Sequence, residues 1–183
     1  MAADLPDFDI AALHAALGEQ RVARGLSWEG VAREISATGA GLTSRRPVSA
    51  STLTGMLTRR SLEANIVLLE LRWLGRTPES FIPGHPAPTT AQTALPDLPP
   101  EQVLRWDLPA LHAALDSRRR ERGMTWKQVA AEIRGFTPGM LTGLTRADHI
   151  GVPRVMRLVT WLEQPAVAFT VVRPRGYKGK PDR

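Results

Sequence analysis

Cysteine is absent from the chain, which excludes disulfides, zinc–thiolate sites and thiol catalysis. No apolar run approaches the roughly 18 residues needed to cross a bilayer. The opening, MAADLPDFDIAAL, is acidic and lacks the basic-then-apolar plan of a signal peptide. A reducing cytoplasm is therefore the expected compartment, with no membrane partner. The four histidines, His14, His85, His112 and His149, are scattered and form no HExxH or other paired metal spacing. The glycines at Gly39–Gly41 lack the lysine of a phosphate loop, and no nucleophile elbow occurs. Catalysis, a metal site and a cofactor are all unexpected.

The 183 residues suffice for one ordinary core or two small ones, and 43% hydrophobic with 23% charged residues is ordinary for a globular protein. The net charge of +6 is unevenly spread. Residues 1–84 balance nine basic against nine acidic side chains, residues 106–164 hold nine against six, and residues 165–183 hold five against one. This asymmetry is compatible with a polyanionic partner without demanding one.

The dominant feature is an internal repeat. FDIAALHAALGEQRVARGLSWEGVAREI, from Phe8, returns as WDLPALHAALDSRRRERGMTWKQVAAEI, from Trp106, at an offset of 98. Asp9/Asp107, His14/His112, Leu17/Leu115, Arg21/Arg119, Gly25/Gly123 and Trp28/Trp126 all match. The match resumes at an offset of 88, with Leu53-Thr54-Gly55 against Leu141-Thr142-Gly143, Trp73-Leu74 against Trp161-Leu162, and Phe81 against Phe169. The first copy thus carries a ten-residue insertion, within 36–47. The expected organisation is a unit over 1–84, a linker over 85–104, a second unit over 105–171 and a basic flexible tail over 172–183. The linker contains HPAPTTAQTALPDLPP, rich in Pro, Thr and Ala.

Each unit reads as a run of short helices. Ile10, Leu13 and Leu17, and Leu108, Leu111 and Leu115, recur at helical spacing. Gly25 and Gly123 suit the left-handed residue that ends such a helix. Ser27 and Thr125 are placed to cap a second helix, and Ser49 and Thr137 a third. A further helix is predicted over 65–74 and 153–162, bringing Trp73 or Trp161 to the core. Phe81 and Phe169 plug a last short turn or helix.

The segments RGLSWEGVAREI…VSASTLTGML with LLELRWLGRTPESFI, and RGMTWKQVAAEIRGFTPGMLTGL with VMRLVTWLEQPAVAF, resemble the Cro/phage-repressor (XRE, lambda-repressor-like) helix-turn-helix family. The resemblance covers most of both halves. It implies an all-α fold of two five-helix helix-turn-helix bundles and sequence-specific binding of double-stranded DNA by a transcriptional regulator, a repressor if it occludes a promoter. The third helix of each unit would lie in the major groove. That places Ser49, Ala50, Ser51, Thr54 and Gly55 on DNA in the first copy, and Thr137, Pro138, Gly139, Thr142 and Gly143 in the second. Arg45, Arg46, Arg59, Arg60, Lys127, Arg146, Arg173 and Arg175 are candidate phosphate or minor-groove contacts.

Three departures from the family pattern keep alternatives open. The third-helix faces lack the Arg, Lys, Asn and Gln side chains of bidentate base contacts, so the second unit either approaches DNA with its backbone or has lost base readout. Trp28 and Trp126 stand where many members carry a polar residue near the backbone, and core packing is expected for both. The insertion breaks the tight turn of the first copy. Arg118, Arg119, Arg120 and Arg122 cannot share one helix face, so about two would reach DNA. The competing class is a protein-interaction module, antitoxin-like or accessory. With two heads on one chain, binding is expected as monomer or homodimer, the linker acting as a tether that raises the effective concentration of the second contact.

Overall fold

A computed structural model of the chain describes residues 6–37, 48–59, 61–84, 95–99, 101–147 and 150–174. The fold is mostly α. The first half contains α1 (Ile10–Ala23), α2 (Trp28–Ala37), α3 (Ala50–Thr54) and α4 (Ala64–Leu74), and the second contains α5 (Leu108–Glu121), α6 (Trp126–Glu132), α7 (Pro138–Thr142) and α8 (Val152–Leu162). Short 3-10 turns at Met56–Thr58 and Leu144–Arg146 follow the third helices, and others at Pro78–Phe81 and Ala166–Phe169 close the units. The repeat offsets of 98 and 88 therefore hold for the elements themselves.

The local chemistry is duplicated with the sequence. Asp9 and Asp107 accept from the N–H groups of Ala12 (2.8 Å) and Ala110 (2.9 Å), which fixes the start of each first helix. Gly25 and Gly123, both at φ 62°, turn the chain into the second helix. Ser27 caps α2 through Gly30 N–H, and Thr125 forms a reciprocal capping box with Gln128 on α6. Leu13, Leu17, Val31, Ile35, Leu53 and Leu68 fill the first core, and Leu111, Leu115, Val129, Ile133, Leu141 and Met156 the second. In each unit an indole ties the fourth helix to the second. Trp73 Nε1 donates to Glu34 (2.8 Å) and Trp161 Nε1 to Glu132 (2.9 Å), while Arg24 and Arg122 pair with those carboxylates at 2.7 Å and lie over the rings.

An expectation of helices alone is corrected by two strands. β1 (Gln102–Trp106) and β2 (Thr170–Pro174) form an antiparallel ribbon with Leu104 opposite Val172. The ribbon takes residues 102–104 from the expected linker and 172–174 from the expected tail. Val103, Leu104 and Trp106 are buried, so this segment is held by packing as well as by the ladder.

The halves are also not beads on a tether. Ala64 N–H donates to Ile150 O and Val152 N–H to Leu62 O, both at 2.9 Å, forming a bridge between Glu63 and Gly151. Residues 62, 63 and 64 are the repeat partners of 150, 151 and 152. Each half thus gives the other what it receives, as a two-fold contact requires. The segment leading into each unit crosses to the other's fourth helix: Asp7 pairs with Arg157 (2.6 Å), and Trp106 Nε1 donates to Ala64 O (3.1 Å). The buried Glu79 accepts from Ala166 N–H, joining the two closing turns. A single connected hydrophobic cluster runs through both units.

Candidate nucleic-acid interface

α3 and α7 each have one buried residue, Leu53 and Leu141, and the rest of each helix faces outward to varying degree. Ser49, Ser51, Thr54, Thr137, Gly139 and Thr142 are exposed and Ala50 is half-buried. The hydroxyls are largely spoken for. Ser49 Oγ accepts from Thr52 N–H and lies 2.9 Å from both Ser51 Oγ and Thr52 Oγ1. Thr137 caps α7 through Met140 N–H. Thr54 Oγ1 donates to Ala50 O (3.1 Å), and Thr142 Oγ1 to Gly139 O (3.3 Å). With each threonine hydroxyl bonded inside its own helix, the methyl is the group left for a partner. Both surfaces are therefore small, close-approach and largely apolar.

The glycines divide into two kinds. A Cβ on Gly55 would lie 2.9 Å from Ser51 O and one on Gly143 3.0 Å from Gly139 O. These two are required by the tight passage from helix to 3-10 turn. Gly139 is different: the nearest atom to a Cβ there is Thr137 Oγ1 at 4.0 Å. The fold has room for a side chain at 139 and has none.

Cations sort just as clearly. Arg118 bonds Leu162 O and Glu163, Arg119 bonds Asp116 and Met124 O, Arg120 bonds Asp116, and Arg122 bonds Glu132. All four guanidiniums have acidic or carbonyl partners within the second unit, with Arg120 and Arg122 paired at its surface. The hydrogen bond from Arg119 keeps the Asp116 carboxyl below the usual carboxylate range, and those from Arg122 and Trp161 do the same for Glu132. Arg59, Lys127 and Arg146 are exposed and have no ion-pair or hydrogen-bond partner among the described residues. Arg59 and Arg146 follow α3 and α7 at equivalent positions, and Lys127 sits in the first turn of α6. Arg173 is not on a tail but half-buried on β2, opposite Val103, and interacts within the fold. Arg45, Arg46, Arg60 and Arg175 lie outside the described residues.

Trp28 and Trp126 pack at the rim of the core, half-buried. Each stacks on the repeated histidine, His14 or His112, with ring centroids 5.4 Å apart, and lies under Arg21 or Arg119. Those arginines also donate to the carbonyls of Leu26 (3.0 Å) and Met124 (2.8 Å), clipping the turn into the second helix. The histidine, indole and guanidinium together set where each second helix begins, which is a structural role for both repeated histidines.

Two residues of this face escaped the sequence reading. Leu57, 57% exposed, stands between α3 and Arg59. Glu29 occupies the place that Lys127 takes in the second unit. Hydrogen bonds from its own backbone N–H and from Ser27 hold its carboxyl below the usual range. The repeat alignment carried the Glu29/Lys127 reversal, whereas Leu57 was indistinguishable from a core leucine by type alone. Among the described residues, no helix is long and apolar enough to cross a membrane and no group of three or more metal-ligating side chains gathers. No protein family, curated protein or solved structure matches the chain.

Proposed function

We propose that the chain is a transcriptional regulator, acting in the cytoplasm on the nucleoid, that binds specific double-stranded DNA through α3 and α7. Its two units would be helix-turn-helix bundles of the XRE type, and promoter occlusion would make it a repressor. The observation that carries this reading is the sorting of cations. The arginines of α5 are paired with acids of the second unit, whereas Arg59 and Arg146, just after α3 and α7, and Lys127, in the first turn of α6, are exposed and without an ion-pair partner among the described residues, as Arg33 on α2 and Arg154 on α8 also are. Phosphate contacts of this kind position a protein, and groove-facing side chains specify the sequence. Small third-helix faces suit backbone approach and methyl–methyl contact with thymine. The second head, with Lys127, is the better phosphate partner, because the first carries Glu29 there.

Selection of full-length protein against a pool of random-sequence duplexes tests the proposal. Recovery of a defined motif is the expected result. Retention of no duplex even at low salt would overturn it.

One observation favours a second reading, a protein-binding module. Beside Trp28, the surface of α1 is apolar around Gly18 and Val22, and Val22 is 66% exposed. The equivalent positions of the second unit are Asp116 and Arg120, an ion pair. A protein partner on the first unit alone would follow from that difference.

A further inference from the structure

The outward side of α3 does not end with the helix. Ser51, Thr54 and Leu57 follow at intervals of three and are all exposed, while Leu53 and Met56 between them are buried. Residues three apart eclipse in a 3-10 turn, so the turn at Met56–Thr58 carries the exposed row of α3 onward. The row grows more apolar along its length. Ser51 Oγ lies against Ser49 Oγ, Thr54 Oγ1 donates to Ala50 O and so leaves its methyl outward, and Leu57 adds a whole isobutyl group. The second unit has Gly139, Thr142 and Thr145 in these places. The other large apolar side chains left exposed among the described residues, Val22 and Val172, are on α1 and β2. A cation accompanies the leucine: a Cβ on Gly55 would lie 3.8 Å from Arg59 Nε, so Arg59 folds back along the end of α3.

We infer that Leu57 is a base-reading residue of the first unit and that it recognises the C5-methyl of a thymine. The inference rests on the DNA-binding function proposed above and adds a residue beyond α3 to it. A leucine kept for a protein partner belongs to a broader apolar patch, whereas the neighbours of Leu57 are Ser51, Thr58 and Arg59. A duplex offers both things this corner can use: phosphate for the guanidinium, and, in the major groove, the thymine methyl as the apolar group on a base edge. The fold itself makes little use of the side chain, since Leu57 is 57% exposed and the core beneath the turn is filled by Met56.

The test uses the full chain and a duplex recovered by selection, with each thymine replaced in turn by uracil, which removes the C5-methyl and nothing else. Affinity is read by fluorescence anisotropy. At one position the wild-type chain should lose about fourfold, the worth of one buried methyl. Leu57→Ala should bind the unmodified duplex at least as weakly as that and be indifferent to the uracil at that position, while Leu57→Met should keep the wild-type response. Because Leu57 carries no charge, the salt dependence of binding should be the same in Leu57→Ala as in wild type. Its exposure lets the alanine variant keep the wild-type melting temperature. Uracil penalties that are the same in wild type and Leu57→Ala at every position, or a selected motif without thymine, would overturn the inference while leaving DNA recognition intact. Failure to select any duplex would remove both.

Discussion

Gly139→Ala separates what the fold needs from what a partner needs. Gly139 lies in the first turn of α7, exposed, and the nearest atom to an added Cβ is 4.0 Å away. The methyl therefore causes no internal strain, and alanine restricts the unfolded chain more than glycine does. The expected gain in stability is about 0.5–1 kcal/mol, which raises the melting temperature by about 1–4 °C for a chain of this size. The same methyl would stand between the α7 backbone and the floor of the groove. A steric misfit comparable to one wrong base pair costs about 1–3 kcal/mol, or tenfold in affinity at 1.4 kcal/mol. Gly143→Ala is the contrast, because its Cβ would press on Gly139 O at 3.0 Å and destabilise the fold. Calorimetry and anisotropy on a selected duplex measure both effects. A Gly139→Ala protein that is more stable and binds DNA as tightly as before would refute the placing of α7 against the groove.

Three further perturbations test the packing. Burial without a charged partner pushes Glu70 up to about 8, with one carboxyl oxygen lacking a hydrogen bond. A raised acid keeps its stability contribution below its ordinary value of 4.5 and loses it as pH rises towards 8. Denaturant titrations should therefore show wild-type stability falling relative to Glu70→Gln by about 1.4 kcal/mol per pH unit across that window; parallel curves would contradict the assignment. Glu163 ends α8 at φ 56° where Gly75 ends α4 at φ 64°. Glu163→Gly should add about 1 kcal/mol by relieving the left-handed backbone, more than its exposed pairing with Arg118 is worth, and an unchanged melting temperature would count against that account. Glu132→Gln breaks the pair with Arg122 and weakens the bond from Trp161, at a cost of about 1 kcal/mol. Since the Glu132 carboxyl is held low, this difference should be present above its ordinary value of 4.5 and shrink as pH falls below it.

The repeat made much of the local structure readable. Ser27, Ser49, Thr125 and Thr137 cap the helices they precede, and Gly25 and Gly123 turn where expected, because caps and left-handed turns depend on neighbours within four residues. What was missed is non-local. QVLRW at 102–106 is too short to show strand periodicity, and its partner lies beyond the whole second bundle at 170–174. Leu62, Ile150 and Val152 look like core residues of their own units, and nothing in their type says that their backbones meet across an axis. At the candidate site, the third-helix residues were found by position in the repeat. The fate of Arg118 and Arg122 was not, since it depends on Glu163 and Glu132 arriving on the facing surface; the pairs of Arg119 and Arg120 with Asp116, one helical turn back on α5, are local and follow from the spacing alone.

The central claim is that Arg59, Lys127 and Arg146 rest on phosphates. The dependence of affinity on salt measures this directly, since each phosphate neutralised contributes about 0.9 to the slope of log affinity against log salt. Replacing the three by alanine should lower the slope by about 2.7, while Arg120→Ala, whose guanidinium is tied to Asp116 at 2.6 Å, should leave it unchanged. A triple variant with the wild-type slope would contradict the account.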